Sequence, residues 1–285
     1  MNPATPLSDQ REKLAALRQQ LAGRLVPAIQ SAGGEMSSPS TLKASLPLGL
    51  AAIDAYLGGG LMQGALHEIA GAGSDMELAT LPAFFACQML LQHPTLRVIW
   101  IAPQADLYGP GLLAQGLAPT RLLMAETHQD AESLWAVEEA ARSGAVSLVI
   151  GEIDLLDLTA SRRLQLAAEE TGCTILALRR SRLAGKGDKH RQPSAALTRW
   201  LITPCTSDSI ADQQSIEARR RPGLGLPAWH LHLWRQRNGP PASWNIALQQ
   251  NRWQQLALSP IRQTAIAAND DTRSRSLQPS RAITA

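Results

Sequence analysis

No apolar run approaches the ~18 residues that a membrane-crossing helix needs, and none is present anywhere in the chain. The N-terminus has no charged stretch leading into an apolar block with a small-residue cleavage site, so no secretory signal is expected and the cytoplasm is the expected compartment. Cysteine is scarce: Cys87, Cys173 and Cys205 are an odd number without C-x-x-C spacing. That excludes both a disulfide framework and a zinc site of ordinary spacing, and reduced thiols are expected. Phenylalanine and tyrosine occur twice each, whereas tryptophan occurs seven times.

Apolar residues make up 45% of the 285 positions, enough for one large domain or two small ones and too many for a disordered chain. The net charge of +3 hides a division. Residues 46–172 hold 5 Lys/Arg against 15 Asp/Glu, and residues 173–256 hold 13 against 4. A basic face made by the later part suits nucleic acid or an acidic partner, or else a surface that meets the chain's own acidic half.

Residues 8–25 carry Leu14, Leu17, Leu21 and Leu25 at spacings of 3, 4 and 4, with Arg11, Lys13, Arg18 and Arg24 between them. This predicts an amphipathic helix within residues 1–30, started by Ser8 or Asp9, whose leucine stripe needs a surface in this molecule or in another. Residues 31–45 are rich in Gly, Ser and Pro and read as a linker, residues 46–256 as the core, and residues 257–285, which have no period, as a disordered tail.

Within the core, strands are predicted at 64–69, 96–101, 121–125, 146–150 and 174–178, alternating with helices at 77–92, 111–116, 131–143 and 159–171. Such alternation predicts an α/β fold with a mostly parallel central sheet flanked by helices. Residues 179–194 read as a basic loop. Strands at 197–202, 228–234 and 243–248, the last two joined through Asn238-Gly239, predict an antiparallel C-terminal end to the sheet.

The segment HEIAGAGSDMELA, His67 to Ala79, has the strand, Gly-rich turn and helix of a phosphate-binding loop without its chemistry. Counting G-x-x-x-x-G-K-[ST] from Gly71 puts Met76 at the second Gly, Glu77 at the Lys and Leu78 at the Ser/Thr. Counting from Gly73 gives Leu78, Ala79 and Thr80, again without the lysine. A carboxylate repels a phosphate and leucine cannot ligate magnesium, so neither a bound nucleotide nor any other cofactor is expected, and the chain is not expected to be an enzyme.

Leu46 to Gly73, LPLGLAAIDAYLGGGLMQGALHEIAGAG, resembles the lead-in to the phosphate loop of RecA-type recombinases. Leu122 to Leu156 is similar to the RecA run through the next strand, the helix and the Walker B strand, with Ala141 to Val146 the best local match. The resemblance covers roughly residues 46–200. It aligns Gly151 with the Walker B aspartate, followed by Glu152, and Gln104 with the glutamate that activates water. A RecA-like chain with a degenerate ATPase site, a leucine-rich N-terminal helix and a basic C-terminal part resembles the ImuA family. That resemblance implies a non-catalytic accessory role in SOS-induced translesion DNA synthesis. It also implies contacts with an ImuB-type inactive Y-family polymerase, with RecA and, indirectly, with an error-prone DnaE-type polymerase. Some relatives carry a SulA-like cell-division-inhibitor label, so that reading stays open beside an unorthodox RecA-like ATPase.

Other residues admit two readings. Glu152, Asp154 and Asp157 form an acidic cluster that suits either magnesium or a helix start. His230 and His232 share one side of a strand but lack a third ligand, and no metal is expected. Arg179, Arg180, Arg182, Arg219, Arg220 and Arg221 are candidates for weak contact with single-stranded DNA, and Trp229, Trp234, Trp244 and Trp253 for either base stacking or core. Leu14, Leu17, Leu21 and Leu25 are the candidates for partner binding.

Overall fold

The structure, a computed structural model, describes residues 44–71, 80–104, 106–180, 192–205, 226–237, 239–250 and 252–255. The predicted N-terminal helix, most of the linker and the tail therefore lie outside the described residues.

A short arm precedes the main sheet. It holds β1 (Ser45–Leu46), α1 (Ala51–Tyr56) and β2 (Leu61–Met62), with β1 and β2 paired antiparallel. Asp54 organises it: its carboxylate accepts the backbone N–H groups of Leu48, Gly49 and Leu50 at 2.7, 2.9 and 3.1 Å, which fixes the entry to α1. Then follow β3 (Leu66–Gly71), α2 (Thr80–Gln92), β4 (Val98–Ala102), α3 (Gly109–Ala114), β5 (Leu122–Glu126), α4 (Asp130–Arg142), β6 (Leu148–Ile153), α5 (Leu158–Thr171) and β7 (Thr174–Arg179). The chain ends in β8 (Thr198–Cys205), β9 (Ala228–Gln236), β10 (Ala242–Gln249) and β11 (Arg252–Gln255).

One nine-stranded sheet runs in the order β11-β10-β9-β8-β3-β7-β6-β4-β5. Strands β5 to β8 on both sides of β3 are parallel to it, and β9, β10 and β11 add antiparallel at the far side. The predicted boundaries of the main strands and helices hold to within a few residues. The arm and β11 were not predicted, because two-residue and four-residue strands carry too little alternation to read.

Helices cover both faces. On one, α2 sinks between the sheet and the arm. Leu48, Ile53, Phe85, Met89, Trp100, Ile150, Leu178, Trp200, Trp244 and Trp253 form one buried cluster there. Aromatic contacts tie the C-terminal strands into it: Phe84 lies 4.4 Å from Trp229 and Phe85 lies 5.2 Å from Trp253, centroid to centroid. The Trp253 indole N–H donates to Leu48 O at 2.8 Å. Trp229, Trp244 and Trp253 are thus packed against this core, while Trp234 faces the other way, 4.3 Å beneath the Arg199 guanidinium. On the second face, α4 and α5 pack Val137, Leu164 and Ala168 over Val149, Ile153 and Ile175. Asp157 caps α5 by accepting the Ala160 N–H at 2.7 Å, and Gly172 closes it in the left-handed region at φ 76°. No helix among the described residues is long and apolar enough to cross a membrane.

His67 sits fully buried on β3 with both ring nitrogens engaged. The Trp200 indole N–H donates to Thr198 Oγ1 at 3.0 Å. The Thr198 hydroxyl donates to His67 Nδ1 at 2.7 Å, and His67 Nε2–H donates to Met62 O at 2.9 Å. Burial pushes its pKa down from 6.5 to about 4, against the smaller pull of the Met62 carbonyl. Below pH 6.5 the unfolded chain takes up a proton that the folded chain refuses until about pH 4. Stability is therefore lost as pH falls through that window, by about 3 kcal/mol from this group alone. Urea unfolding at pH 7, 5.5 and 4 reads it directly: the parent should lose that increment relative to a His67→Gln chain, which lacks the titration.

Candidate functional site at the carboxyl edge

The carboxyl ends of the parallel strands meet at one edge of the sheet, where ligands of open α/β folds bind. Strand β6 delivers its acid there. Leu148 and Ile150 lie in the cluster under α2, while Val149 and Ile153 lie under α4 and α5. Side chains alternate along a strand, so Glu152 shares the α2 face and Gly151 faces α4. A Cβ on Gly151 would stand 2.5 Å from Val137 Cγ2. The acid of this strand is therefore Glu152, one residue on from the position that the sequence alignment with RecA assigns.

Glu152 is 2% exposed. Its Oε1 accepts the Trp100 indole N–H at 2.9 Å and its Oε2 accepts Arg180 Nη1 at 2.7 Å. The same Arg180 nitrogen lies 2.9 Å from Asp106 Oδ2 and 3.2 Å from Oδ1. A guanidinium thus stands between two carboxylates at the carboxyl edge of the sheet. Such charge-assisted contacts are strong at a site withdrawn from water. A metal ion at Glu152 would have to displace Arg180 from it. Gln104 is exposed beyond β4, and Gly71 ends β3. Gly73, Met76, Glu77 and Leu78 lie outside the described residues.

On the opposite face a second charged cluster lies under α5. Glu68 of β3 accepts Arg179 Nη1 at 3.2 Å from β7, and Arg199 Nε and Nη2 at 3.2 and 3.1 Å from β8. The Ser194 hydroxyl donates to its other oxygen. Arg179 Nη2 also reaches Asp154 O at 2.9 Å. Burial pushes the pKa of both guanidiniums down, and Glu68 pulls it back up. This cluster was missed in the sequence, where the signal is the His67-Glu68 pair inside an otherwise apolar strand.

The remaining candidates have local partners. Asp157 is the α5 cap. Asp130, not Asp154, receives the N–H groups of Asp154 and Leu155, at 3.3 and 3.1 Å. The His230 and His232 rings are 6.4 Å apart, with His230 Nδ1 2.8 Å from Asn245 Oδ1. Among the described residues no three metal-binding side chains converge. Of the six arginines proposed for DNA, Arg179 and Arg180 are the two described, and both are engaged with carboxylates of the core. Arg182, Arg219, Arg220 and Arg221, like Leu14, Leu17, Leu21 and Leu25, lie outside the described residues. The charge division of the sequence is thus partly internal: Arg179, Arg180 and Arg199 of the basic part pair with Glu68, Glu152 and Asp106 of the acidic part.

The chain is 37% identical to Protein ImuA of Caulobacter vibrioides, in each of two strains, over 201 residues that cover 68% of this chain and 79% of the relative. This chain belongs to the ImuA family. The crystal structure of the RadB recombinase superposes with a TM-score of 0.52 at 14% identity, covering 74% of this chain and all of that one. The chain therefore has a RecA-like fold. No family model matches it.

Two substitutions test the edge. Gly151→Asp, which restores the acid that the alignment calls for, places a charge against Val137 and should lower stability by at least about 3 kcal/mol. It should yield no ATP turnover in a phosphate-release assay. Arg180→Ala strands the buried Glu152 carboxylate, at about 3 kcal/mol. Adding Glu152→Gln should restore part of that loss in chemical denaturation.

Proposed function

We propose that the chain is a non-catalytic RecA-like accessory protein of damage-induced, error-prone translesion DNA synthesis, working through protein–protein contacts. The observation that supports this reading is the ion pair by which Arg180 occupies the Glu152 carboxylate at the carboxyl end of β6. Membership of the ImuA family supplies the process. The partners we propose are an ImuB-type inactive Y-family polymerase and RecA, with an error-prone DnaE-type polymerase reached indirectly.

The leucine stripe Leu14, Leu17, Leu21 and Leu25 is the proposed docking element, since a lone helix of this length is marginal in water without a surface to cover. Arg182, Arg219, Arg220 and Arg221 remain the candidates for weak, salt-sensitive contact with single-stranded DNA.

A ligand that binds only the folded state raises its melting temperature by mass action. Millimolar Mg-ATP should therefore leave the thermal transition of this chain unmoved. An upward shift that vanishes on replacing Gly71 and Gly73 would instead favour an ATPase. Replacing both Leu17 and Leu21 by Asp puts two charges into a face that docking must dehydrate. The folded double variant should lose capture of purified ImuB or RecA in a pull-down that the parent passes.

A further inference from the structure

A shallow groove of 460 Å³ runs along α5. One wall is the helix, presenting Leu158, Arg162, Leu166 and Glu169 at spacings of 4, 4 and 3, which keeps them on one side. The other wall is the Ser194–Ala195 turn before β8, with Arg235 and Arg237 from the end of β9. These two arginines are fixed: Arg235 Nη1 donates to Ser194 O at 3.0 Å and Arg237 Nη2 to Ala195 O at 2.8 Å. Each carbonyl uses one of five guanidinium donors.

Three features set the chemistry of an occupant. The lining carries three arginines against one acid, Glu169, which is 4.0 Å from Arg237. Behind Ser194 lies the Glu68 cluster, where Glu68, Asp154 and Asp130 act on Arg179, so the positive charge of the groove comes from its own lining. Between the charges stands apolar surface: Leu158 is half-buried and Leu166 is 52% exposed. Nucleic acid would satisfy the arginines but not the leucines, and no aromatic ring lines the groove to stack a base. A peptide satisfies both.

We infer that this groove binds a short acidic segment of a partner protein, with aliphatic side chains seated on Leu158 and Leu166 and carboxylates on Arg162, Arg235 and Arg237. The inference draws on none of the N-terminal leucines, so it stands even where that stripe fails to dock.

The test uses the full chain and a phage display of random peptides about a dozen residues long, selected near physiological salt. Recovered peptides should combine Asp or Glu with Leu, Ile or Val. Their affinity, read by fluorescence anisotropy, should fall at least about tenfold for Arg162→Glu and for Leu166→Asp. Both change exposed side chains and should leave the melting temperature near the parent's. Arg163→Gln, on the same helix outside the groove, and the Leu17→Asp, Leu21→Asp chain should bind as the parent does. The inference is overturned if no peptide is recovered, if recovered peptides lack acidic residues, or if Arg162→Glu binds them unchanged. It is overturned too if oligothymidylate displaces them and itself depends on Arg162, which would make the groove a nucleic-acid site.

Discussion

Two consecutive arginines at the end of β7 take opposite faces of the sheet, and the carboxylates they neutralise determine what this core can hold. Arg179 turns under α5 to Glu68, and Arg180 turns to Glu152 and Asp106 at the carboxyl edge. Neither pairing is free of cost, because taking ions from water must be offset by close geometry and further hydrogen bonds. Trp100 completes Glu152, and Ser194 and Arg199 complete Glu68, while the buried Arg179 Nε has no hydrogen-bond partner among the described residues. Removal of one member of either group leaves a buried charge, so each is more demanding of its neighbours than an apolar core would be.

The two clusters divide the molecule's work. Glu68 joins β3 to both of its neighbours, β7 and β8, and so couples three parallel strands at one carboxylate, with β8 the strand on which the antiparallel end is built. The aromatic residues finish that coupling on the other face, where Phe84 and Phe85 of α2 meet Trp229, Trp200 and Trp253. Glu152 instead closes an edge. At the carboxyl edge, where open α/β folds bind ligands, this fold places its own guanidinium.

The legible part of the sequence was the part with local period. The alternation of short apolar runs with helical stretches gave the parallel strands and the order of helices, and the Trp229, Leu231, Leu233 alternation gave an antiparallel strand. Asp157 as a helix cap was legible for the same reason, since its partner Ala160 is three residues away. What stayed hidden depends on distant pairings. Glu68 meets Arg179 and Arg199 across 111 and 131 residues, and no local pattern links them. Gly151 and Glu152 show the limit of alignment: a one-residue step along a strand exchanges faces, and only the packing of Val137 reveals which residue points to the edge. The arginine-rich, tryptophan-rich character of the later chain was visible, but the side of the sheet each residue takes was not. Trp229, Trp244 and Trp253 went to the core, and Arg179, Arg180 and Arg199 went to carboxylates.

The central claim is that the protein acts without using a phosphate loop. The most direct measurement is damage-induced mutation frequency in cells lacking the gene, complemented by a chain in which residues 74–79 are replaced by glycine and serine at equal length. Purified protein with an unchanged melting temperature is the control. The account predicts mutation frequency equal to that restored by the parent chain. A folded variant that fails to restore it would show that the degenerate loop is used, and would contradict the account.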